Sequence, residues 1–368
     1  MTDNSNQSGI YIVVPGYNAS PYLEDLAHSL SRQTYTGPKT VVFVNDGSSD
    51  DTLQVMESLE VDGFQKHVIA IEHAGVSATR NAGLSWVFNN ANDGYVLFLD
   101  ADDMLEDNAI QIIAEGMKLD DLDILAYSTH PFYENRDLER QFPTFKTYYR
   151  RSGSYPEILT GPDYLSAVLP NSDFRPSVCL QAFSVSFLKQ SSLSFLPGII
   201  HEDNLFSFEA LLLANKVRYI DKELHIRRVR AGSIMTASAK AASLDGYFHC
   251  ITEAINFMNQ NHIGSASSKD CAAVIDMWQN AAIDHYNVLS KEQIEELKSS
   301  YETSEQVLFT TLIQQRAQER EDHRLEIERK SSEAQARAET AVRSQFENSL
   351  SYRLGRAITA IPRKVFGR

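Results

Sequence analysis

Carboxylates spaced two residues apart follow an apolar run near the middle of the chain. The run is Tyr95 to Leu99, and Asp100 and Asp102 come directly after it. Carboxylate oxygens on a turn can hold a hard divalent cation, Mg²⁺ or Mn²⁺, which shares its other ligands with substrate phosphates. Acids after a strand can also cap the next helix. The spacing therefore indicates either a cation site or a helix cap.

A second acidic pair, Glu202 and Asp203, precedes an apolar stretch with helical spacing. The dipole of a helix favours negative charge at its N-terminus, so a carboxylate there is expected to stay ionised. Asp203 could then act as a general base toward a hydroxyl group without a raised pKa. The alternative is that this pair only caps the helix.

Polar side chains also follow earlier apolar runs. Asp46 comes after Thr40 to Val44, where its carboxylate could accept hydrogen bonds from a base or a ribose; the Ser and Asp residues after it are expected to cap a helix. Arg80 opens a later helix and could meet a base carbonyl or a phosphate, or form a surface ion pair. Arg227, Arg228 and Arg230 are predicted to form a basic loop that either neutralises a diphosphate or is simply solvated.

These residues must be positioned by an alternation of strands and helices. The predicted strands are apolar runs, at residues 10–14, 40–44, 67–71 and 95–99. Helices lie between them; Ser20 is expected to cap the first, with Pro21 at its first position. Apolar strands in this alternation predict a parallel sheet with helices on both faces, and its ligand crevice is expected at the carboxyl ends of the strands.

The second half of the chain is less regular. Residues 120–195 show no clear period and are expected to shape the acceptor side of the site. Helices are predicted at 244–258 and 272–289, and 291–348 lacks Pro and Gly, which suits one long exposed helix.

The net charge of −15 argues against a nucleic-acid partner. The last residues, from Arg353 on, are basic and interleaved with apolar side chains, so this tail is expected to contact either an anionic membrane or a protein surface, such as a second subunit. Without a leader or an apolar span, the chain is predicted to be cytoplasmic, or peripheral on the inner face of the cell membrane.

Six motifs along the chain occur in an order that resembles the family-2 glycosyltransferases of the GT-A fold. They are Val13-Val14-Pro15-Gly16-Tyr17-Asn18, Val44-Asn45-Asp46-Gly47-Ser48-Ser49-Asp50, Ser77-Ala78-Thr79-Arg80-Asn81-Ala82-Gly83, Leu99-Asp100-Ala101-Asp102-Asp103, His201-Glu202-Asp203 and Arg228-Val229-Arg230-Ala231-Gly232-Ser233. Together they cover roughly residues 10–236. The resemblance implies an α/β nucleotide-diphospho-sugar transferase fold with a mixed, mostly parallel Rossmann-like sheet.

The resemblance also implies roles for individual residues. Those expected to bind the donor are Pro15, Tyr17, Asp46, Arg80, Asp100, Arg228, Arg230 and Ser233. Asp102 would ligate Mn²⁺ or Mg²⁺, Asp203 would be the catalytic base, and Glu202 would stand beside it. Some members carry a histidine where this chain has Arg230, so positive charge is expected to replace that ligand.

The resulting prediction is an inverting transferase that moves a sugar, on a UDP donor, to a glycan or glycolipid of the cell surface. A sugar-nucleotide pyrophosphorylase is an alternative, although residues 15–18 are not the Gly-rich phosphate loop expected of one. A catalytically silent scaffold is another. The predicted domains are 1–236 for the GT-A domain, 237–290 for a helical subdomain and 291–368 for a charged helix, joined to a C-terminal basic tail.

Overall fold

The structure, a computed structural model, describes residues 8–232, 240–264, 267–349 and 352–353. The chain divides into two compact units, Met1–Ser300 and Tyr301–Arg368. Ser233 and the tail from residue 354 lie outside the described residues, so the predictions made for them are not tested. In the described ranges, every helix is too short or too polar to span a bilayer. The predicted boundaries at residues 236 and 290 remain predictions.

The first unit is built on a mixed sheet, and its strand order is β3-β2-β1-β4-β7-β6-β8-β5. The strands are β1 (Ile10–Gly16), β2 (Lys39–Asp46), β3 (Gln65–Ile71), β4 (Tyr95–Phe98), β5 (Met104–Leu105), β6 (Ile124–Tyr133), β7 (Gln181–Ser184) and β8 (Val217–Val229). The first four pair in parallel, as predicted. The other half is mixed, since β7 runs antiparallel to both β4 and β6 while β8 runs parallel to β6.

Helices connect and cover these strands. Those of the first unit are α1 (Leu23–Ser31), α2 (Thr52–Ser58), α3 (Val76–Asn90), α4 (Ala109–Asp120), α5 (Arg136–Gln141), α6 (Gly161–Val168), α7 (Val185–Ser191), α8 (Glu202–Leu213), α9 (Lys240–Gln260), α10 (Ser268–Tyr286) and α11 (Lys291–Ser299). The second unit contains α12 (Thr303–Phe309) and α13 (Gln315–Glu347). Helix α3 packs closely on β1 because Gly83 leaves room for Val13, where a Cβ atom would overlap that side chain.

The parallel register brings the ends of three strands to one edge of the sheet. Pro15 lies opposite Val44 in the β1–β2 ladder, and Val13 lies opposite Phe98 in the β1–β4 ladder. The chain leaves β1, β2 and β4 just beyond these pairs. The loops that follow these strands, which contain Tyr17, Gly47 and Asp100, therefore start side by side.

Two local predictions are wrong. Helix α1 begins at Leu23, and Ser20 does not cap it, because its hydroxyl donates to Asp50 Oδ2 at 2.8 Å. The segment from residue 291 is not one helix. It breaks between α11 and α12, where Glu302 forms a capping box with Glu305, and a π-helical turn at Thr310–Gln314 precedes α13. A break made by capping side chains needs no Pro or Gly, so composition could not reveal it.

Candidate active site

A cavity of about 290 Å³ opens at the carboxyl edge of the sheet. Every candidate residue in the described part of the chain lines it, namely Pro15, Tyr17, Asp46, Arg80, Asp100, Asp102, Glu202, Asp203, Arg228 and Arg230. These residues come from loops, strand ends and the first turns of α3 and α8, and they are up to about two hundred positions apart in the sequence. The tertiary structure therefore gathers the predicted cation, donor and base residues into one space.

Arg80 is the central cation of this cavity. Its side chain is buried, with the residue only 4% exposed, so the surface ion pair weighed as an alternative is not what the chain forms. Its guanidinium donates to Asp100 Oδ1 at 2.8 Å and to Glu202 Oε1. Burial alone would raise the pKa of Asp100, but the charge and the hydrogen bond of Arg80, with smaller contributions from other nearby cations, together lower that pKa. Through these two hydrogen bonds, Arg80 connects the segment after β4 with the start of α8.

Asp102 is paired with the basic end of β8. Arg230 Nε donates to Asp102 Oδ2 at 2.6 Å, and Arg228 Nε donates to the Asp102 carbonyl oxygen at 2.9 Å. Burial, with Asp103 and Asp100 nearby, raises the pKa of Asp102 to about 6 despite Arg230. The acids do not cap α4, whose N-cap residue is Asn108.

The prediction that the three arginines form one basic loop is wrong for Arg227 and Arg228, and only Arg230 follows the strand. Arg227 and Arg228 lie within β8, paired to Pro131 and Phe132 of β6. Arg228 is buried, its backbone N–H donates to Asp103 Oδ1 at 2.8 Å, and its side chain reaches Asp25. Pairing with β6 extends the strand through these residues. The ion pair with Asp25 offsets part of the cost of burying the Arg228 guanidinium.

Asp203 is the second residue of α8 and is half-buried in the wall of the cavity. The N-cap residue is His201, in the left-handed region at φ 69°, and no side chain caps this helix. Burial, followed by the charge of Glu202, raises the pKa of Asp203 to about 7. The expectation of an unshifted carboxylate is therefore wrong, because burial and a neighbouring acid outweigh the helix dipole.

Asp46 positions another part of the cavity wall. Its carboxylate accepts hydrogen bonds from the backbone N–H groups of Ala74 and Gly75 at 2.8 and 3.0 Å. These bonds hold the loop after β3 against the end of β2, and the ring of Tyr17, in the loop after β1, stacks on His73 with centroids 4.2 Å apart. The half-exposed Tyr17 ring thus forms a flat wall suited to a planar ligand.

Several lining residues were not chosen from the sequence. Tyr149 comes from the stretch without a period, and Arg227 stacks over its ring at 4.4 Å. His225 lies on β8, and its Nδ1 atom is 2.9 Å from Thr129 Oγ1 on β6. Residues two apart in a strand lie on the same face of the sheet, so the spacing could have predicted that His225 shares a face with Arg227. Tyr149 had no comparable signal.

Comparison with known proteins identifies this arrangement. The family profile described as Glycosyl transferase family 2 matches residues 11–172, the part of the chain that supplies Pro15, Asp46, Arg80 and Asp102. Residues 11–172, just under half of the chain, therefore resemble the family-2 glycosyltransferases. This resemblance favours a transferase over the pyrophosphorylase alternative.

Similar proteins agree with the family. The enzyme is 23% identical over 266 residues to the glycosyltransferase YibD of Escherichia coli (strain K12), covering 71% of this chain and 74% of YibD. It is 27% identical over 227 residues to the glycosyltransferase GlyA of Streptococcus pneumoniae serotype 4, covering 61% of this chain but only 31% of GlyA. The crystal structure of TarS residues 1–349 from S. aureus aligns with a TM-score of 0.55 at 20% identity, over 83% of this chain and 78% of that one. This likeness confirms the GT-A fold.

Proposed function

We propose that this glycosyltransferase moves a sugar from a UDP-linked donor to a glycan or glycolipid acceptor in cell-surface polysaccharide synthesis, with inversion at the anomeric carbon. The observation that carries the proposal is the shared cavity, which is lined by Asp46, Tyr17 and Asp203 together. A crystal structure of TarS, which shares the fold, contains UDP-GlcNAc. That complex favours a UDP-sugar donor for this enzyme.

The chain's own residues suggest how the transfer proceeds. Asp203 is proposed to take the proton of the acceptor hydroxyl as that oxygen attacks the anomeric carbon. A single displacement of this kind inverts the configuration. Three arginines supply fixed positive charge where the diphosphate would leave. They are the buried Arg80, Arg228 in β8 and Arg230 just after that strand.

A divalent cation fits this site only in part. Among the described residues no three potential ligands are clustered, so Asp102 would be the principal protein ligand and donor phosphates would complete the coordination. Asp102 Oδ2 accepts a hydrogen bond from Arg230 Nε, so a cation would share this carboxylate with the arginine. Bound there, Mn²⁺ or Mg²⁺ would neutralise charge on the diphosphate.

The proposed base is tested by Asp203→Asn. We expect transfer to fall by about 10²–10⁴-fold while UDP affinity stays nearly unchanged, because the base acts on the acceptor. Hydrolysis of UDP-, GDP- and dTDP-sugars, measured as released nucleotide, identifies the donor and separates an enzyme from a silent scaffold. Unimpaired turnover in the variant, or release of no nucleotide from any donor, would contradict the proposal.

The cation is tested by titrating UDP into the wild-type protein and Asp102→Ala, each with and without Mn²⁺. We expect Mn²⁺ to strengthen UDP binding by roughly tenfold or more in the wild type and to have little effect in the variant, because the variant lacks the carboxylate ligand. Calorimetry provides the affinities. Four equal affinities would remove the metal from the proposal.

A further inference from the structure

Aromatic rings continue beyond the cavity on the side of Asp203. They come from two regions, the segment after α5 and the helix α9. The family profile covers the first region but not the second. Tyr148 and Tyr149 belong to the first, and Tyr247 belongs to the second. Neither region was assigned a role in donor binding.

The ring of Tyr148 is open to solvent beside the cavity. Tyr148 is 50% exposed, and its ring meets Tyr149 edge-on, with centroids 4.7 Å apart at 88°. Its contact with Phe145 is also tilted, at 63°. In the described part of the chain no ring stacks parallel on Tyr148, so a face of this ring is available. Tyr149 itself lines the cavity.

Tyr247 is held next to the proposed base by a stack of rings. It lies parallel to His201, with centroids 4.2 Å apart at 18°, and His285 of α10 follows at 6.2 Å. Helix α9 can approach this closely because Gly246 faces the carbonyl oxygen of Ile200, which a Cβ atom would overlap. His201 lines the cavity and precedes Asp203 by two residues, so Tyr247 is fixed relative to the base.

The two tyrosines are electrostatic neighbours around Asp203. Burial raises the pKa of Tyr247, and Tyr148 and Asp203 raise it further. Burial also raises the pKa of Tyr149, where Tyr148 and Asp203 again contribute in the same direction. The geometry agrees, since Tyr148 packs on Tyr149 and Tyr247 stacks on His201, and both Tyr149 and His201 line the cavity that contains Asp203. The rings therefore border the space from which an acceptor hydroxyl would reach Asp203.

We propose that Tyr148 and Tyr247 form the acceptor site, and that the acceptor presents an uncharged pyranose ring, stacked on Tyr148 and hydrogen-bonded to the Tyr247 hydroxyl. This inference rests on the proposed transferase function. A tyrosine offers an apolar face for the C–H groups of a sugar and a polar tip for its hydroxyls. The carboxylate of Asp203 borders the same space and is ionised when it acts as the base, so an acidic sugar ring is disfavoured by like charge.

The test uses the full chain saturated with UDP and two probes, methyl β-D-glucopyranoside and methyl β-D-glucopyranosiduronate. Saturation-transfer NMR measures the contact of ring protons with protein, and calorimetry measures UDP affinity. We expect the neutral probe to bind the wild type and Tyr148→Phe alike, and Tyr148→Ala about tenfold more weakly. Tyr247→Phe keeps the stacked ring and should weaken binding by a smaller factor. Leu119→Ala, on the exposed surface of α4, is the matched control and should change nothing.

The outcomes separate the inference from the proposed function. UDP affinity unchanged in all variants, with the loss of pyranoside binding confined to the tyrosine variants, supports the acceptor site. A wild-type protein that binds UDP but neither probe, or equal binding in Tyr148→Ala, overturns it. Equal binding of the acidic probe overturns the assignment of a neutral ring. A wild-type protein without UDP affinity would instead defeat the proposed function.

Discussion

Asp203 owes its altered pKa to burial and to the carboxylate of Glu202, which together outweigh the attraction of Arg80. The group must lose its proton before it can act as a base. Its ordinary pKa of 3.8 becomes about 7 in the folded protein, so near neutral pH a large fraction is still protonated. A base poised at this pH combines availability with proton affinity.

The pH profile of transfer tests this shift. We expect kcat/KM to rise about tenfold per pH unit below pH 7 and to level off above it, since only the ionised Asp203 accepts a proton. In Glu202→Gln the rising limb should move to lower pH, because one of the charges that raise the pKa is removed. A flat profile between pH 5 and 8 would show that Asp203 does not control the reaction.

At the scale of elements, the contact between α8 and α9 buries a second acid. Burial, and then the charge of Glu253 on α9, raises the pKa of Glu209 on α8 from 4.5 to about 8. An acid with a raised pKa in the folded state stabilises it only while protonated. Its contribution is complete below about pH 4.5 and is lost as pH rises through about 8.

Glu209→Gln tests this element contact. We expect the melting temperature of the wild type to fall by a few degrees between pH 5 and 8.5, and that of the variant to fall less, because Gln carries no charge. Glu57→Gln, at an exposed position of α2, is the control and should follow the wild type. Parallel curves for the wild type and Glu209→Gln would contradict the assignment. Calorimetric melting at each pH provides the measurement.

At the scale of the whole molecule, the site belongs to one of the two units. All residues that line the cavity lie before Ser300, within Met1–Ser300. Helix α13 of the other unit is highly charged and carries exposed i,i+4 ion pairs, such as Arg329 with Glu333. Such exposed pairs contribute about 0.3–0.5 kcal/mol each, and salt weakens them.

Truncation after Ser300 tests this division. We expect residues 1–300 to keep UDP affinity and donor hydrolysis within about twofold of the full chain, because no lining residue is removed. Nucleotide release and calorimetry provide the comparison, and circular dichroism checks that the fragment is folded. A folded fragment that no longer binds UDP would show that the second unit contributes to the site.

The sequence by itself determined the first half of the sheet and indicated the family. Strands buried on both faces of a parallel sheet are continuous apolar runs, so β1, β2 and β4 could be predicted directly, and the loops after these three strands contain motifs. Motifs in a fixed order indicate a family without knowledge of the fold. The predicted donor and base residues share a cavity because parallel strands end at one edge.

Only the tertiary structure decided the rest. Arg230 meets Asp102 because β8 pairs with β5, which begins two residues after Asp102, and this contact joins segments about 120 residues apart that no local pattern brings together. The pKa of Asp203 depends on burial, which the helix dipole alone cannot predict. Tyr247 stacks on His201, two residues before Asp203, through the packing of α9, a long-range contact that no local period encodes.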